Sequence, residues 1–162
     1  MIIEDVVSGP GLGNCFRFLT HQAATPTALD SLGDEELPAA VASRALGSGE
    51  AGAAGGAEEE RLRSVCKEAL RLWLGCFVGE LRAASLRFLP TGGLYLAGGV
   101  STKMMPMLGD HLREVFAAEP ANADLLATVP IFLVDDGADV GLVGARVRAR
   151  RELRQGAAGS AL

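Results

Sequence analysis

The clearest chemistry in this chain sits where a short apolar run meets two glycines. Leu94-Tyr95-Leu96-Ala97-Gly98-Gly99 reads as a buried strand that opens into a Gly pair, with a helix expected beyond. A strand that ends this way sets bare backbone at the carboxyl edge of a sheet, where ligands of α/β proteins bind. At Gly98 and Gly99 a flat base or a phosphate can approach the main chain, because no side chain stands in the way. A tight strand-to-helix turn without a ligand fits the same residues, since the segment is neither a GxGxxG fingerprint nor a Walker loop. Asp135, Asp136 and Asp139 are candidates for a base or a metal pair, against the ordinary role of turn aspartates in satisfying local N–H groups. Cys15, Cys66 and Cys76 are odd in number and form no CxxC pair. With only His21 and His111 beside them, neither a disulfide framework nor a zinc site is expected, and a reducing compartment is the default.

The elements that would carry these residues follow from periodicity and capping. Ser8 reads as the N-cap of a helix to about Gln22, with Pro10 tolerated in its first turn and Leu12, Cys15, Phe16 and Leu19 buried. A second helix is expected from Asp34 or Glu35 to Leu46, its acidic start suiting the positive end of the helix dipole. Residues 47–57, GSGEAGAAGGA, lack periodicity and read as a flexible loop inserted between helices. The longest element is a helix from about Glu58 to Leu89. Leu62, Val65, Cys66, Ala69, Leu70, Trp73, Phe77, Leu81, Ala84 and Phe88 form its apolar face. No charge falls between Leu72 and Gly79, which predicts burial all round, with Gly75 and Gly79 admitting a neighbouring backbone. After the Gly98-Gly99 pair, a helix is expected over Thr102–Ala118 with Pro106 kinking it, then a second buried strand over Val129–Val134 and a last helix near Val140–Leu153. Strands alternating with helices through long crossovers make a parallel α/β layer.

Composition narrows the function classes. The chain has 162 residues, a formal net charge of −5, 49% apolar and 22% charged residues, enough for one domain with a core. The acidic balance argues against nucleic acid as main partner. No apolar run reaches the ~20 residues of a membrane span, and the N-terminus shows no basic patch followed by an apolar stretch. Arg146, Arg148, Arg150, Arg151 and Arg154 crowd the last helix and read as a solvated basic face near a helix C-terminus.

Three motifs stand in fixed order: Glu4-Asp5-Val6-Val7-Ser8-Gly9-Pro10-Gly11-Leu12, the Leu94-to-Gly99 strand and turn, and Gly141-Leu142-Val143-Gly144-Ala145. Together they resemble the C-terminal half of the bacterial-type glucokinases, members of the actin-like sugar kinase superfamily. The resemblance spans nearly the whole chain, including the long helix with its Gly pair and the strand Val129–Val134. It implies an α/β fold, a partial ribonuclease H-like/actin-like ATPase domain with short parallel strands and long packing helices. That domain would cover residues 1–155, with a flexible tail at 156–162. It implies transfer of the γ-phosphoryl of ATP to the 6-hydroxyl of glucose, with Mg²⁺ in the complete enzyme. By resemblance Glu4 binds sugar hydroxyls, a role that suits an ionised carboxylate accepting two or more O–H donors. Likewise Gly98 and Gly99 fall on the adenosine-binding turn, and Gly141 and Gly144 on the last turn and helix start near the nucleotide.

The departures matter as much. Val100-Ser101-Thr102-Lys103 replaces a small or Pro-containing stretch with Arg, and Asp139-Val140 replaces an Asn-Pro. Lys103 reads as a solvated helix-start lysine, within reach of a phosphate. No DxGGT-like phosphate loop is present, and no residue matches the family's catalytic aspartate. The expectation is therefore half an enzyme, inactive alone and completed by an N-terminal half. Its exposed strand edges would invite poor solubility or self-association, a homodimer included. A non-catalytic nucleotide- or sugar-binding regulatory module is the alternative, and a structural α/β partner without ligand a third reading. The terminal Ser160-Ala161-Leu162 lies one residue from a peroxisomal Ser-Lys-Leu address. Some protist glucokinases that this chain resembles reside in glycosomes, so the expected location is cytoplasmic, or glycosomal where that tripeptide is read.

Overall fold

The computed structural model describes residues 2–23, 26–47, 56–98, 122–134 and 139–159, with side chains as far as residue 154. A 3-10 turn, Ile3–Asp5, leads into helix α1, Gly9–Ala23. Helices α2, Leu37–Leu46, and α3, Ala57–Phe88, follow. Strand β1, Leu94–Leu96, comes next, then the short helix α4, Ala123–Ala127, strand β2, Ile131–Leu133, and helix α5, Val140–Gly159.

Helices α1, α2 and α3 pack on one another around a single core. Trp73, Phe16, Leu37, Leu70, Val41, Val78 and Cys66 are fully buried there, with Leu12, Cys15, Leu62, Ala69 and Leu74 beside them. Spacing sets the faces: Leu62, Cys66, Ala69, Leu70 and Trp73 recur at three and four residues along α3 and meet α1 and α2. Burial of side chains this size stabilises by roughly 1.5–3 kcal/mol each, so this cluster carries most of the fold's apolar free energy.

Local signals set the helix ends. Ser8 Oγ accepts a hydrogen bond from Gly11 N–H at 3.0 Å, the N-cap that starts α1. Helix α2 closes on Gly47 in the left-handed region, φ 72°, its N–H donating to the Arg44 carbonyl. At the end of α3 the left-handed residue is Leu89, φ 44°, and Pro90 follows, which cannot continue a helix.

The two strands are parallel, pairing Leu94 with Ile131, Tyr95 with Phe132 and Leu96 with Leu133. This bears out the parallel α/β reading, in a molecule that is mostly helical. Strand β2 is shorter than the expected 129–134, at three residues, and neither strand is buried throughout, Tyr95 being 67% and Phe132 45% exposed. Among the described residues no helix is long and apolar enough to cross a membrane.

Several expectations need correction. Helix α2 starts at Leu37, not at Asp34 or Glu35. The Glu36 and Leu37 N–H groups turn back to the Gly33 carbonyl, so the acidic residues form a turn before the helix. Burial all round from Leu72 to Gly79 does not hold, because Leu72 is 38% exposed and Gly75 is exposed too. Nor do Gly75 and Gly79 admit a neighbour: a Cβ on either would meet nothing within 4 Å. Phe88 is 70% exposed instead of buried. Leu72 and Gly75 lie off the packed side of α3, whose Trp73, Leu74 and Val78 are buried beside them, and Phe88 lies at its uncovered end. At about 1.5 Å per residue, α3 with 32 residues extends well past α1 with 15 and α2 with 10, and only one side of it is covered. Helix α4 was not foreseen, and the expected helix over 102–118 and most of the loop 47–57 lie outside the described residues.

Candidate functional site

Glu4 sits in the middle of the 3-10 turn, exposed. Asp5 N–H donates to the Ile2 carbonyl at 3.0 Å, and Val6 and Val7 N–H both donate to the Ile3 carbonyl. Glu4 and Asp5 are adjacent carboxylates with different fates. Asp5 Oδ2 accepts the Ile2 N–H at 2.7 Å, so that side chain is occupied in closing the turn. The Glu4 carboxylate has no hydrogen-bond or ion-pair partner among the described residues. An exposed, unspent carboxylate beside a spent one is a ready acceptor for O–H donors.

Helices α1 and α3 fix that turn. Asn14 Nδ2 donates to the Asp5 carbonyl at 2.8 Å. Trp73 Nε1 donates to the Ser8 carbonyl, also at 2.8 Å, from a ring that is fully buried and stacked on Phe77 with centroids 5.3 Å apart. Gly11 lies directly under Val6. A Cβ there would fall 2.9 Å from the Val6 Cα and closer still to its carbonyl carbon and oxygen. This is a close backbone approach that only glycine permits.

Of the second group of predicted residues, Gly98 follows the carboxyl end of β1, and Gly141 and Gly144 lie on the exposed start of α5. The chain leaves β1 at Leu96 and reaches Gly98 two residues later, and β2 leaves by the same edge because the strands are parallel. Gly98 has φ +100°, a conformation that side chains rarely adopt, and a Cβ there would meet nothing within 4 Å. Helix α5 begins a few residues beyond β2. Asp139 caps it, Oδ1 accepting the Leu142 N–H at 3.1 Å and the main-chain carbonyl the Val143 N–H at 2.9 Å. Asp139 is thereby a helix cap, as turn aspartates ordinarily are, and Asp135 and Asp136 lie outside the described residues. Gly141 and Gly144 occupy the first two turns of α5; a Cβ on Gly141 would meet only Asp139 Oδ1, at 3.7 Å, and one on Gly144 nothing. Gly99, Lys103 and Ser160–Leu162 also lie outside the described residues.

The structure thus places Glu4 in the 3-10 turn before α1, Gly98 just past β1, and Gly141 and Gly144 at the start of α5, with no contact among the three places given by the described residues. Sequence reasoning missed the three supports of the Glu4 turn. The Asn14 spacing and the solitary tryptophan carry no motif, whereas Gly11 three residues past Ser8 was a visible signal.

The described residues offer no other reactive centre. No group of His, Cys, Asp or Glu among them could hold a metal ion. Burial pushes the Cys15 thiol up to about 11, with the nearby Cys76 adding to the shift. Burial does the same for Cys66, to about 11, with Arg44 opposing and Glu59 assisting. Both thiols are inert packing groups at neutral pH. The arginines of α5 are exposed, Arg148 pairing with Glu152 at 2.6 Å.

Comparison with known proteins agrees across nearly the whole chain. The family model described as Glucokinase matches residues 1–152. A glucokinase of Synechocystis sp. is 33% identical over 160 residues, covering 90% of this chain and 41% of that protein. One from Nostoc sp. is 30% identical over 153 residues, covering 92% of this chain and 44% of that protein. One from Agrobacterium fabrum is 30% identical over 135 residues, covering 81% of this chain and 33% of that protein. The chain spans less than half the length of these relatives. No solved structure matches it.

Proposed function

The chain belongs to the glucokinase family, and from that premise we propose that it is the C-terminal, substrate-holding portion of an ATP-dependent glucose kinase. In this reading the fold is part of a ribonuclease H-like/actin-like ATPase domain, and the α/β layer seen here is its last section. The carboxylate of Glu4 accepts hydrogen bonds from sugar hydroxyls and so orients the hexose. The bare main chain at Gly98 and Gly99 receives the nucleoside of ATP. Gly141 and Gly144, three residues apart, leave one strip of the start of α5 without side chains, and that strip faces the nucleotide.

The observation that carries the reading is the contrast between residues 4 and 5. One carboxylate is consumed in building the turn, and the other is exposed on it with no hydrogen-bond or ion-pair partner among the described residues. Charged hydrogen bonds of this kind are worth roughly 1.5–3 kcal/mol each. Phosphoryl transfer needs little covalent help from a protein and depends on holding donor and acceptor in line. The residues present are suited to that holding. They are not suited to deprotonating the 6-hydroxyl, because no carboxylate here matches the family's base and the Asp139 carboxylate already accepts the Leu142 N–H. Mg²⁺, which neutralises charge on the transferring phosphates, is usually held by those phosphates and one or two carboxylates. Among the described residues no three of His, Cys, Asp and Glu cluster as an all-protein metal site.

The test is glucose 6-phosphate formation by a coupled assay. The 162-residue chain alone makes none, and mixing it with the N-terminal portion of a glucokinase relative restores measurable turnover. Activity of the chain alone would contradict the assignment of the base to another part of the enzyme. Silence of the mixture, with both parts folded, would contradict the kinase reading.

A further inference from the structure

We infer that Asn14 is a positioning residue for Glu4: its side-chain amide sets where the Glu4 carboxylate stands. The inference rests on the reading of Glu4 as the sugar-holding group. A 3-10 turn of three residues has few bonds of its own and, left to itself, would open readily. Its N-terminal side is closed by Asp5 Oδ2 on the Ile2 N–H. Its C-terminal side continues into Val6, wedged on Gly11. Between these two points the one tie from a helix side chain to the turn among the described residues is Asn14 Nδ2 on the Asp5 carbonyl, 2.8 Å long and nine residues away in sequence. That carbonyl belongs to the Asp5–Val6 peptide, one residue past Glu4 at the end of the turn, so its direction ties the orientation of the turn to α1. Asn14 is itself exposed on α1 and belongs to no part of the core. Its amide is therefore dispensable for packing and available for this one contact. A carboxylate that must accept several hydroxyls at once gains from being held in place before the sugar arrives, because less freedom is then lost on binding.

The chemistry of residue 14 makes a sharp test. Asn14→Asp keeps the shape and replaces the donor by an acceptor facing a carbonyl. Asn14→Gln keeps the donor on a longer, exposed side chain. Two quantities are read on the 162-residue protein: amide exchange at Asp5, Val6 and Val7, and glucose affinity by calorimetry. Melting temperature serves as control. Losing one hydrogen bond raises exchange at these three amides about fivefold in Asn14→Asp and weakens glucose binding by a similar factor. The core amides of α3 stay unchanged, and Asn14→Gln recovers most of both effects. Glu4→Gln weakens glucose binding but leaves exchange in the turn at its normal rate. The inference is overturned if Asn14→Asp leaves exchange unchanged. It is equally overturned if glucose affinity stays normal in Asn14→Asp while Glu4→Gln loses it. If Glu4→Gln binds glucose normally, or the protein binds none, the sugar reading of Glu4 fails and exchange alone decides whether Asn14 holds the turn.

Discussion

Gly11→Ala is expected to destabilise this protein, against the usual effect of such a change inside a helix. Replacing a helical glycine by alanine ordinarily gains about 1 kcal/mol. Here the added Cβ meets backbone rather than a flexible side chain, with the Val6 Cα at 2.9 Å and the carbonyl group closer. Restoring an unstrained contact of roughly 3.5 Å requires the two backbones to part by about 1 Å or more. That movement pulls the Ser8 carbonyl from Trp73 Nε1 and the Asp5 carbonyl from Asn14. Each lost bond costs about 1 kcal/mol, and stranding the indole N–H of a buried ring adds about 1–3 kcal/mol more. Set against the propensity gain, the net loss is on the order of 2–4 kcal/mol. With a slope of about 1–3 kcal/mol per molar urea, the unfolding midpoint falls by roughly 1–2 M. Trp73 is the sole tryptophan and sits at the contact, so its fluorescence reports the transition. Gly75→Ala is the internal control: open space surrounds that position, and stability should rise by about 0.5–1 kcal/mol. A midpoint for Gly11→Ala equal to or above wild type would refute the reasoning.

Other perturbations have equally definite outcomes. The unfolded thiols of Cys15 and Cys66 titrate near 9.0 and the folded ones near 11, so unfolding releases protons between these values. The stabilisation is complete below pH 9, is lost as pH rises toward 11, and amounts to about 2–3 kcal/mol per thiol. Urea midpoints measured from pH 8 to pH 11 should fall steeply, and a Cys15→Ala, Cys66→Ala variant should show a shallower fall. Asp139→Ala removes the cap of α5 and should lower its helicity by circular dichroism, at a cost of about 1 kcal/mol, with the three-helix core melting unchanged. Gly98→Val places a branched side chain at φ +100° and on the face assigned to the nucleoside. ADP affinity should drop at least tenfold in calorimetry, a loss of about 1.4 kcal/mol, while the core of α1, α2 and α3 melts as before.

Much of the helical layer was legible because its signals are local. Ser8 at the N-cap, Gly47 at the C-cap, Pro90 after α3 and the three-and-four spacing from Leu62 to Trp73 each act within one or two turns. Parallel pairing of the two strands was legible too, since an apolar run followed by glycines and helices admits few other arrangements. What failed depends on which side and which end of α3 is covered. Burial around Leu72 was inferred from the absence of charge, but only one side of α3 is packed there, with Trp73, Leu74 and Val78 buried and Leu72 exposed; burial of Phe88 was inferred from periodicity, but it lies at an end that the shorter α1 and α2 leave uncovered. In the candidate site, Glu4 was found through family resemblance and not through its own chemistry. The separate fates of Glu4 and Asp5 rest on which carboxylate reaches the Ile2 N–H, and no spacing rule encodes that. The Trp73 bond to Ser8 spans 65 residues and is equally silent in the sequence.

Calorimetric titration of glucose into the wild-type protein and into Glu4→Gln tests the central claim most directly. The account predicts that the wild type binds glucose and that Glu4→Gln binds it roughly 10- to 100-fold more weakly, with an unchanged melting temperature and unchanged affinity for ADP. Equal glucose affinity in the two proteins, or none in either, would contradict it.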